Sequence, residues 1–298
     1  MKVFIIGNGF DLDLGLKTRY SDFAKSQEWN KLYALNKWSE GSMAIYLKNQ
    51  AEKENWFDIE QSIADYVHKK EYDSDYTFVD EDWAYFMTLK DYLDNYLTSC
   101  LLDWEPHTDS LASELIKMSN NGESFDAIYC FNYTSYDMND TLTSNIPNLY
   151  NVKYVHNQGA RLVLGINEDG ISCREYSFVK KVNHSFYPST NIIPDLDKAT
   201  QVIIFGHSLN KIDWVYFKNF FLQSSETISE PKRIITIVSK DQSSLLQIKN
   251  NLNDFGISLT SLRSLCQLEF IGTDDYEFDT YDTREKVGKM FKSLNDIP

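Results

Sequence analysis

The sequence has few cysteines, and none stands in a pattern that would hold a metal or a disulfide framework. Cys100, Cys130, Cys173 and Cys266 are widely separated, no C-x-x-C pair occurs, and no histidine stands at ligand spacing from them. Structural zinc sites and small disulfide-rich domains both need closely spaced cysteines. We therefore expect no metal centre, and thiols that are buried or idle.

Long apolar runs are also absent. No stretch of 18 or more apolar residues occurs, whereas a membrane-spanning helix needs about 20. The sequence opens with a core-type strand and not with a charged leader before an apolar segment. These features predict a cytoplasmic protein without a membrane partner. At 298 residues, the chain can form one large domain or a domain with a substantial insertion.

Basic residues are outnumbered, with 29 Lys and Arg against 44 Asp and Glu and a formal net charge of −15. This charge repels a phosphate backbone, and the pairs Lys69-Lys70 and Lys180-Lys181 are too short to form a basic stripe. Nucleic acid is therefore disfavoured as a partner. A small anion can still bind, because backbone N–H groups at a helix N-terminus attract it whatever the overall charge.

The most informative stretch is the beginning of the chain. Val3-Phe4-Ile5-Ile6 lacks the alternation of a half-exposed strand, which predicts a strand covered on both faces of a parallel sheet. Gly7-Asn8-Gly9-Phe10-Asp11 follows, and glycines can adopt positive φ and let a phosphate or ribose approach the main chain. A dinucleotide fingerprint has a third glycine where this chain has Leu12. The pattern favours a nucleotide-binding turn, with a plain strand-to-helix turn as the alternative.

Apolar periodicity divides the remainder into helices and strands. Helical spacing predicts helices within 20–47, with Ser21 as N-cap, and over 55–70, 80–102, 109–119 and 245–255. Short apolar runs predict strands over 125–131, 152–156, 161–165, 201–205, 234–238 and 268–271. This alternation implies an α/β fold with a doubly wound, mostly parallel sheet. Residues 1–30 and 120–298 would form the nucleotide-binding core, and 31–119 a helical insertion subdomain.

Polar residues collect just after the predicted strands. Ligands bind outside the carboxyl ends of open parallel sheets, so we expect these residues to converge on one cleft. They are Asp11, Asn132 with Thr134, His156, and Gly206-His207-Ser208. Taken singly, Asn132 could cap a helix, His156 could be a half-buried histidine, and Gly206 could mark a turn. Arg19 follows the glycine turn closely enough to meet a phosphate, or lies on a solvated surface.

Several motifs together resemble the AbiH family of bacteriophage abortive-infection proteins. They are the stretches 5–12 and 15–23, Trp56-Phe57-Asp58-Ile59-Glu60, Phe131-Asn132-Tyr133-Thr134, the His156 segment, and Ile204-Phe205-Gly206-His207-Ser208-Leu209. The resemblance spans most of the chain and implies an anti-phage effector. Glu60 within it could be a lid residue over the cleft or an exposed helix glutamate. The aromatic residues of 83–104 would serve helix packing or, where exposed, self-association.

A more distant likeness is to the sirtuin-like NAD-binding and NAD-hydrolase domains, whose Rossmann-like fold is of the sirtuin/DHS type. Gly7, Gly9, Asp11, Gly15 and Leu16 match the spacing of their opening turn. An Asn, a His and a Gly-x-Ser turn then follow in the same order. The resemblance implies that Asn132 holds the nicotinamide ribose or an attacking water and that His156 acts as general base. Together with the positions of the other polar residues, it leads us to expect that NAD is bound by residues 7–11, Arg19, Thr134 and 206–208.

The departures from the sirtuin pattern keep a second hypothesis open. The paired cysteines of the sirtuin zinc module are missing, which argues against a protein deacylase, and Thr134 stands where sirtuins have Asp. The first hypothesis is an effector that hydrolyses the N-glycosidic bond of NAD. The alternative is a non-catalytic sensor of NAD or a related nucleotide. The weakest is a toxin acting on nucleic acid, for which the sequence has neither the charge nor a carboxylate-metal motif.

Overall fold

The structure is a computed structural model. It describes residues 1–274, except 35–36, 54–57, 103, 105–106, 108, 121–124, 135–148, 150–151, 157–161, 168–171, 189 and 230–231, and also residues 288 and 290. Part of the 56–60 motif and the residues directly after His156 therefore lie outside the described residues.

The described strands form one parallel sheet. They are β1 (Lys2–Ile6), β2 (Ala127–Cys130), β3 (Val152–Tyr154), β4 (Gln201–Phe205), β5 (Ile234–Ser239) and β6 (Gln267–Gly272). Their order is β3-β2-β1-β4-β5-β6, and every neighbouring pair is parallel. The chain fills the sheet outward on one side of β1 and then on the other, so β1 and β4 flank a topological switch point. The predicted doubly wound α/β fold is confirmed.

The helices between the strands follow the predicted periodicity with shifted ends. They are α1 (Asn8–Asp13), α2 (Tyr20–Phe23), α3 (Gln27–Ala34), α4 (Met43–Lys53), α5 (Ile59–Asp73), α6 (Val79–Leu102), α7 (Leu111–Asn120), α8 (Ile193–Lys198), α9 (Trp214–Glu226), α10 (Gln242–Asp254) and α11 (Leu259–Leu265). Two 3₁₀ turns cover Ser177–Val179 and Lys181–Asn183. Within the described part of the chain, no helix combines the length and apolar character needed to cross a bilayer.

The chain divides into two compact units. The sheet unit consists of Met1–Leu16, Trp104–Val155 and Ser189–Pro298, and the helical unit consists of Lys17–Asp103 and His156–Pro188. Compactness does not show that a segment folds alone, so the predicted insertion subdomain of residues 31–119 stays a prediction.

The core of the sheet unit explains the apolar runs. Val3 to Ile6 in β1 are fully buried, as expected for a central strand covered on both faces. Phe217, Phe220 and Phe221 of α9 belong to the same unit and are also buried. These residues bury β1 and β4 within the apolar core, which holds the turns after both strands in place.

The helical unit is organised around a buried carboxylate. Asp82, in the first turn of α6, accepts hydrogen bonds from Met43 N at 2.6 Å, Tyr66 Oη at 2.8 Å and Tyr176 Oη at 2.7 Å. Burial raises the pKa of Asp82, and the three donors oppose that rise. One carboxylate thus links α4, α5, α6 and the segment around Tyr176.

Two local predictions are wrong. The run 161–165 is not a strand in its described part, although Leu162, Val163 and Leu164 are buried, because Val163 N donates to the loop carbonyl of His156 and forms no ladder. Leu162 is a single bridge residue and not part of a strand, and an isolated bridge joins Ile166 and Lys180. Ser21 is not an N-cap, because α2 already begins at Tyr20.

Candidate functional site

The glycine turn after β1 is a strand-to-helix junction. Gly7 has φ −119° and is the N-cap of α1, and Gly9 lies inside that helix. The expected positive φ at these two glycines is therefore absent, because the helix begins as early as Asn8. Positive φ occurs instead at Gly206, with φ +70°, in the turn after β4.

The three glycines allow two turns to pack backbone against backbone. A Cβ on Gly7 would lie 2.5 Å from His207 Cα, and one on Gly9 would lie 2.6 Å from Gly206 Cα. Gly7 N donates to Phe205 O at 2.8 Å, and Gly9 N donates to Gly206 O at 2.9 Å. Side chains would separate the turns, so glycine is required here by packing at the switch point.

The residues after β2 converge on α1 through Asp11. Asp11 is fully buried and accepts from Asn132 Nδ2 at 2.6 Å and from Thr134 Oγ1 at 2.7 Å. Asn132 Nδ2 also donates to Gly7 O at 3.1 Å. Burial and the nearby Asp11 charge raise the pKa of the Cys130 thiol. The structure therefore brings together three of the predicted site residues, Asp11, Asn132 and Thr134, with the carboxylate of Asp11 at their centre.

His207 is held inside the turn after β4. Leu209 N donates to His207 Nδ1 at 3.0 Å, which places the ring proton on Nε2, 3.4 Å from Asp213 Oδ2. The ring also packs edge-on against Phe131, with centroids 4.6 Å apart. His207 thus supports the turn, while the neighbouring Ser208 is exposed.

Two predicted site residues belong to the helical unit. Arg19 precedes α2 and is half-buried. His156 is buried beside Lys181 and Glu60, whose ion pair has an Nζ–Oε1 distance of 2.9 Å. Glu60 is only 8% exposed, so the interpretation as an exposed helix glutamate is wrong.

One residue that the sequence did not single out lies in the sheet unit. Asp13, at the end of α1, accepts from Ala112 N at 2.8 Å at the start of α7. Burial raises the pKa of Asp13, and hydrogen bonds from Ala112 and Thr273 oppose that rise. Thr273 lies directly after β6. Thr273 follows a predicted strand, so applying the strand-end rule to every strand would have pointed to this cluster. In the described residues, no group of three or more His, Cys, Asp or Glu is placed to hold a metal ion.

The strand order and the polar cluster at one edge define a Rossmann-type α/β protein. The chain belongs to the AbiH family, described as bacteriophage abortive infection, whose model matches residues 3–237. Comparisons with curated proteins and with solved structures found no match. The family resemblance is confirmed and supports an anti-phage abortive-infection role. The likeness to sirtuin-like domains stays a resemblance.

Proposed function

We propose that this AbiH protein acts in abortive infection by binding NAD at the carboxyl edge of its sheet and hydrolysing it to nicotinamide and ADP-ribose. The observation that carries the proposal is the switch point between β1 and β4, beside which Asp11 gathers Asn132 and Thr134. Dinucleotides bind at such a point in other sheets with this strand order. Fold alone does not establish function, so the chemical argument of this proposal rests on the polar cluster of Asp11, Asn132 and Thr134.

The reaction needs little from the protein beyond positioning and one proton acceptor. A water oxygen forms a bond to ribose C1′ while the bond between C1′ and nicotinamide N1 breaks. The electron pair of the broken bond stays with the nicotinamide ring, and the attacking water loses a proton. Because nicotinamide leaves as a neutral molecule, acid assistance is unnecessary. Asn132 would orient the ribose or the water, with Asp11 fixing its amide. The resemblance gives the proton-accepting role to His156.

A second candidate, a non-catalytic nucleotide sensor, is favoured by one specific observation. Asn132 Nδ2 donates to both Gly7 O and Asp11 Oδ1, and the Thr134 hydroxyl donates to Asp11 Oδ2. These donors are committed within the protein. A sensor would keep that network unchanged and bind the nucleotide through other groups of the edge, without cleaving it.

Nicotinamide release by the full chain, purified before and after phage infection, tests the first candidate. Asn132→Ala and His156→Ala should abolish release, whereas the matched surface variants Asn250→Ala and His68→Ala should retain it. No release in either state, or full release from Asn132→Ala, contradicts hydrolysis at this site. Calorimetric titration with NAD separates the candidates: binding without cleavage supports the sensor, and absence of binding contradicts both.

A further inference from the structure

A buried ion pair lies in the helical unit, outside the network at Asp11. Lys181 Nζ is 2.9 Å and 3.1 Å from the two carboxylate oxygens of Glu60, and the Lys181 side chain has no exposed surface. Gly165 N donates to Glu60 Oε1 at 3.3 Å. Two bonds from the ammonium and one from the backbone therefore hold the carboxylate, and the carboxylate holds the ammonium.

The same ammonium reaches a histidine. Lys181 Nζ lies 3.4 Å from Nδ1 of His156, which is 3% exposed. An ammonium has three donors and no acceptor, so Nδ1 must be the accepting nitrogen of this contact. In a neutral imidazole one nitrogen accepts and the other carries the proton. The proton of His156 is therefore on Nε2.

We propose that Lys181, held by Glu60, is a positioning residue that fixes His156 as an Nε2–H hydrogen-bond donor. For catalysis the inference rests on the proposed function. A general base needs an unprotonated nitrogen directed at the proton that it removes. In this arrangement Nδ1 is directed at an ammonium and Nε2 carries the proton, so the proton-accepting role proposed above requires the contact between Lys181 and Nδ1 to open first.

Two substitutions made together can remove the Lys181 ammonium without leaving the Glu60 carboxylate as an unpaired buried charge. Lys181→Met alone leaves the Glu60 carboxylate buried and unpaired, which is strongly destabilising. Glu60→Gln/Lys181→Met removes both charges and keeps an acceptor for Gly165 N. Lys180→Met is the matched control, because Lys180 is adjacent in sequence and its side chain is only half-buried.

The test is a long-range ¹H–¹⁵N spectrum of the full chain with ¹⁵N-labelled histidine, recorded at neutral pH. The His156 signals are assigned as those that disappear in His156→Gln. Wild type and Lys180→Met should show the Nε2–H pattern at His156, and Glu60→Gln/Lys181→Met should shift it toward Nδ1–H. His207, whose Nδ1 accepts from Leu209 N, should keep the Nε2–H pattern throughout.

Two results would overturn the inference. One is an Nδ1–H or doubly protonated His156 in the wild-type protein, a measurement that does not depend on whether any variant folds. The other is an unchanged pattern in Glu60→Gln/Lys181→Met. Neither depends on NAD turnover: absence of nicotinamide release with the expected tautomer would contradict the proposed function alone. Conversely, release from a protein with the Nδ1–H tautomer would contradict only the role given to Lys181.

Discussion

Replacing Gly206 by alanine is expected to destabilise the protein through two separate mechanisms. Its φ of +70° lies in the left-handed region, which costs a residue with a Cβ about 1–2 kcal/mol. The added Cβ would also lie 2.3 Å from Phe10 N and 2.4 Å from Gly9 Cα. Both are backbone atoms that cannot rotate away, and overpacking of this kind costs about 1–3 kcal/mol. Together the cost is about 2–5 kcal/mol.

Gly256→Ala is the matched control. Gly256 has φ +80°, but a Cβ built there meets no heavy atom within 4 Å. It therefore incurs only the conformational cost of about 1–2 kcal/mol. The difference between the two variants isolates the contact between the turns after β1 and β4.

Urea unfolding followed by far-UV circular dichroism measures the difference. With an unchanged m-value, the midpoint should fall further for Gly206→Ala than for Gly256→Ala. Equal midpoints would refute the packing argument, because they would mean that a methyl group fits between the turns. That result would restore the interpretation of Gly7 and Gly9 as glycines that leave room for a ligand.

Three further outcomes are expected. Thr134→Val removes a hydrogen bond to the Asp11 carboxylate, worth about 1.5–3 kcal/mol, and should lower Tm in calorimetry; an unchanged Tm contradicts the network. A thiol reagent should modify only Cys100 in the native protein, slowly because burial raises the pKa of its thiol, and all four cysteines after unfolding. The Tyr129 hydroxyl lowers the pKa of Asp195, so the stability from this carboxylate is present above pH about 4 and lost as pH falls through the lowered pKa. Asp195→Asn should therefore flatten the acid limb of the stability curve, and an identical limb would be inconsistent with it.

The sheet was predictable because its strands are buried on both faces. The run 201–205 was predicted at the bounds that β4 has, and the switch to helical periodicity was clear on either side of most strands. The run 161–165 failed for a physical reason. Burial makes a segment apolar whether or not its backbone pairs with a neighbouring strand, and Leu162 to Leu164 are buried inside a loop. A sequence shows the burial and not the pairing.

The candidate site was predictable only as far as topology determines it. Carboxyl ends of parallel strands share an edge, which is why Asp11, Asn132 and Thr134 could be grouped from the sequence. The burial of Glu60 could not, because it depends on a lysine far away in the chain. Helical periodicity alone does not distinguish a solvated glutamate from one whose charge is neutralised by such a partner.

The packing of the turns constrains how the proposed site can work. A nucleotide phosphate that uses the amides of Gly7 and Gly9 must first displace the carbonyls of Phe205 and Gly206, which accept from them in this structure. Binding of NAD through these amides would therefore replace two hydrogen bonds that the protein makes with itself. NAD binding should then change the hydrogen exchange of these two amides. Binding that leaves their exchange unaltered would place the ligand at other groups of the sheet edge and would remove the glycines from the binding site.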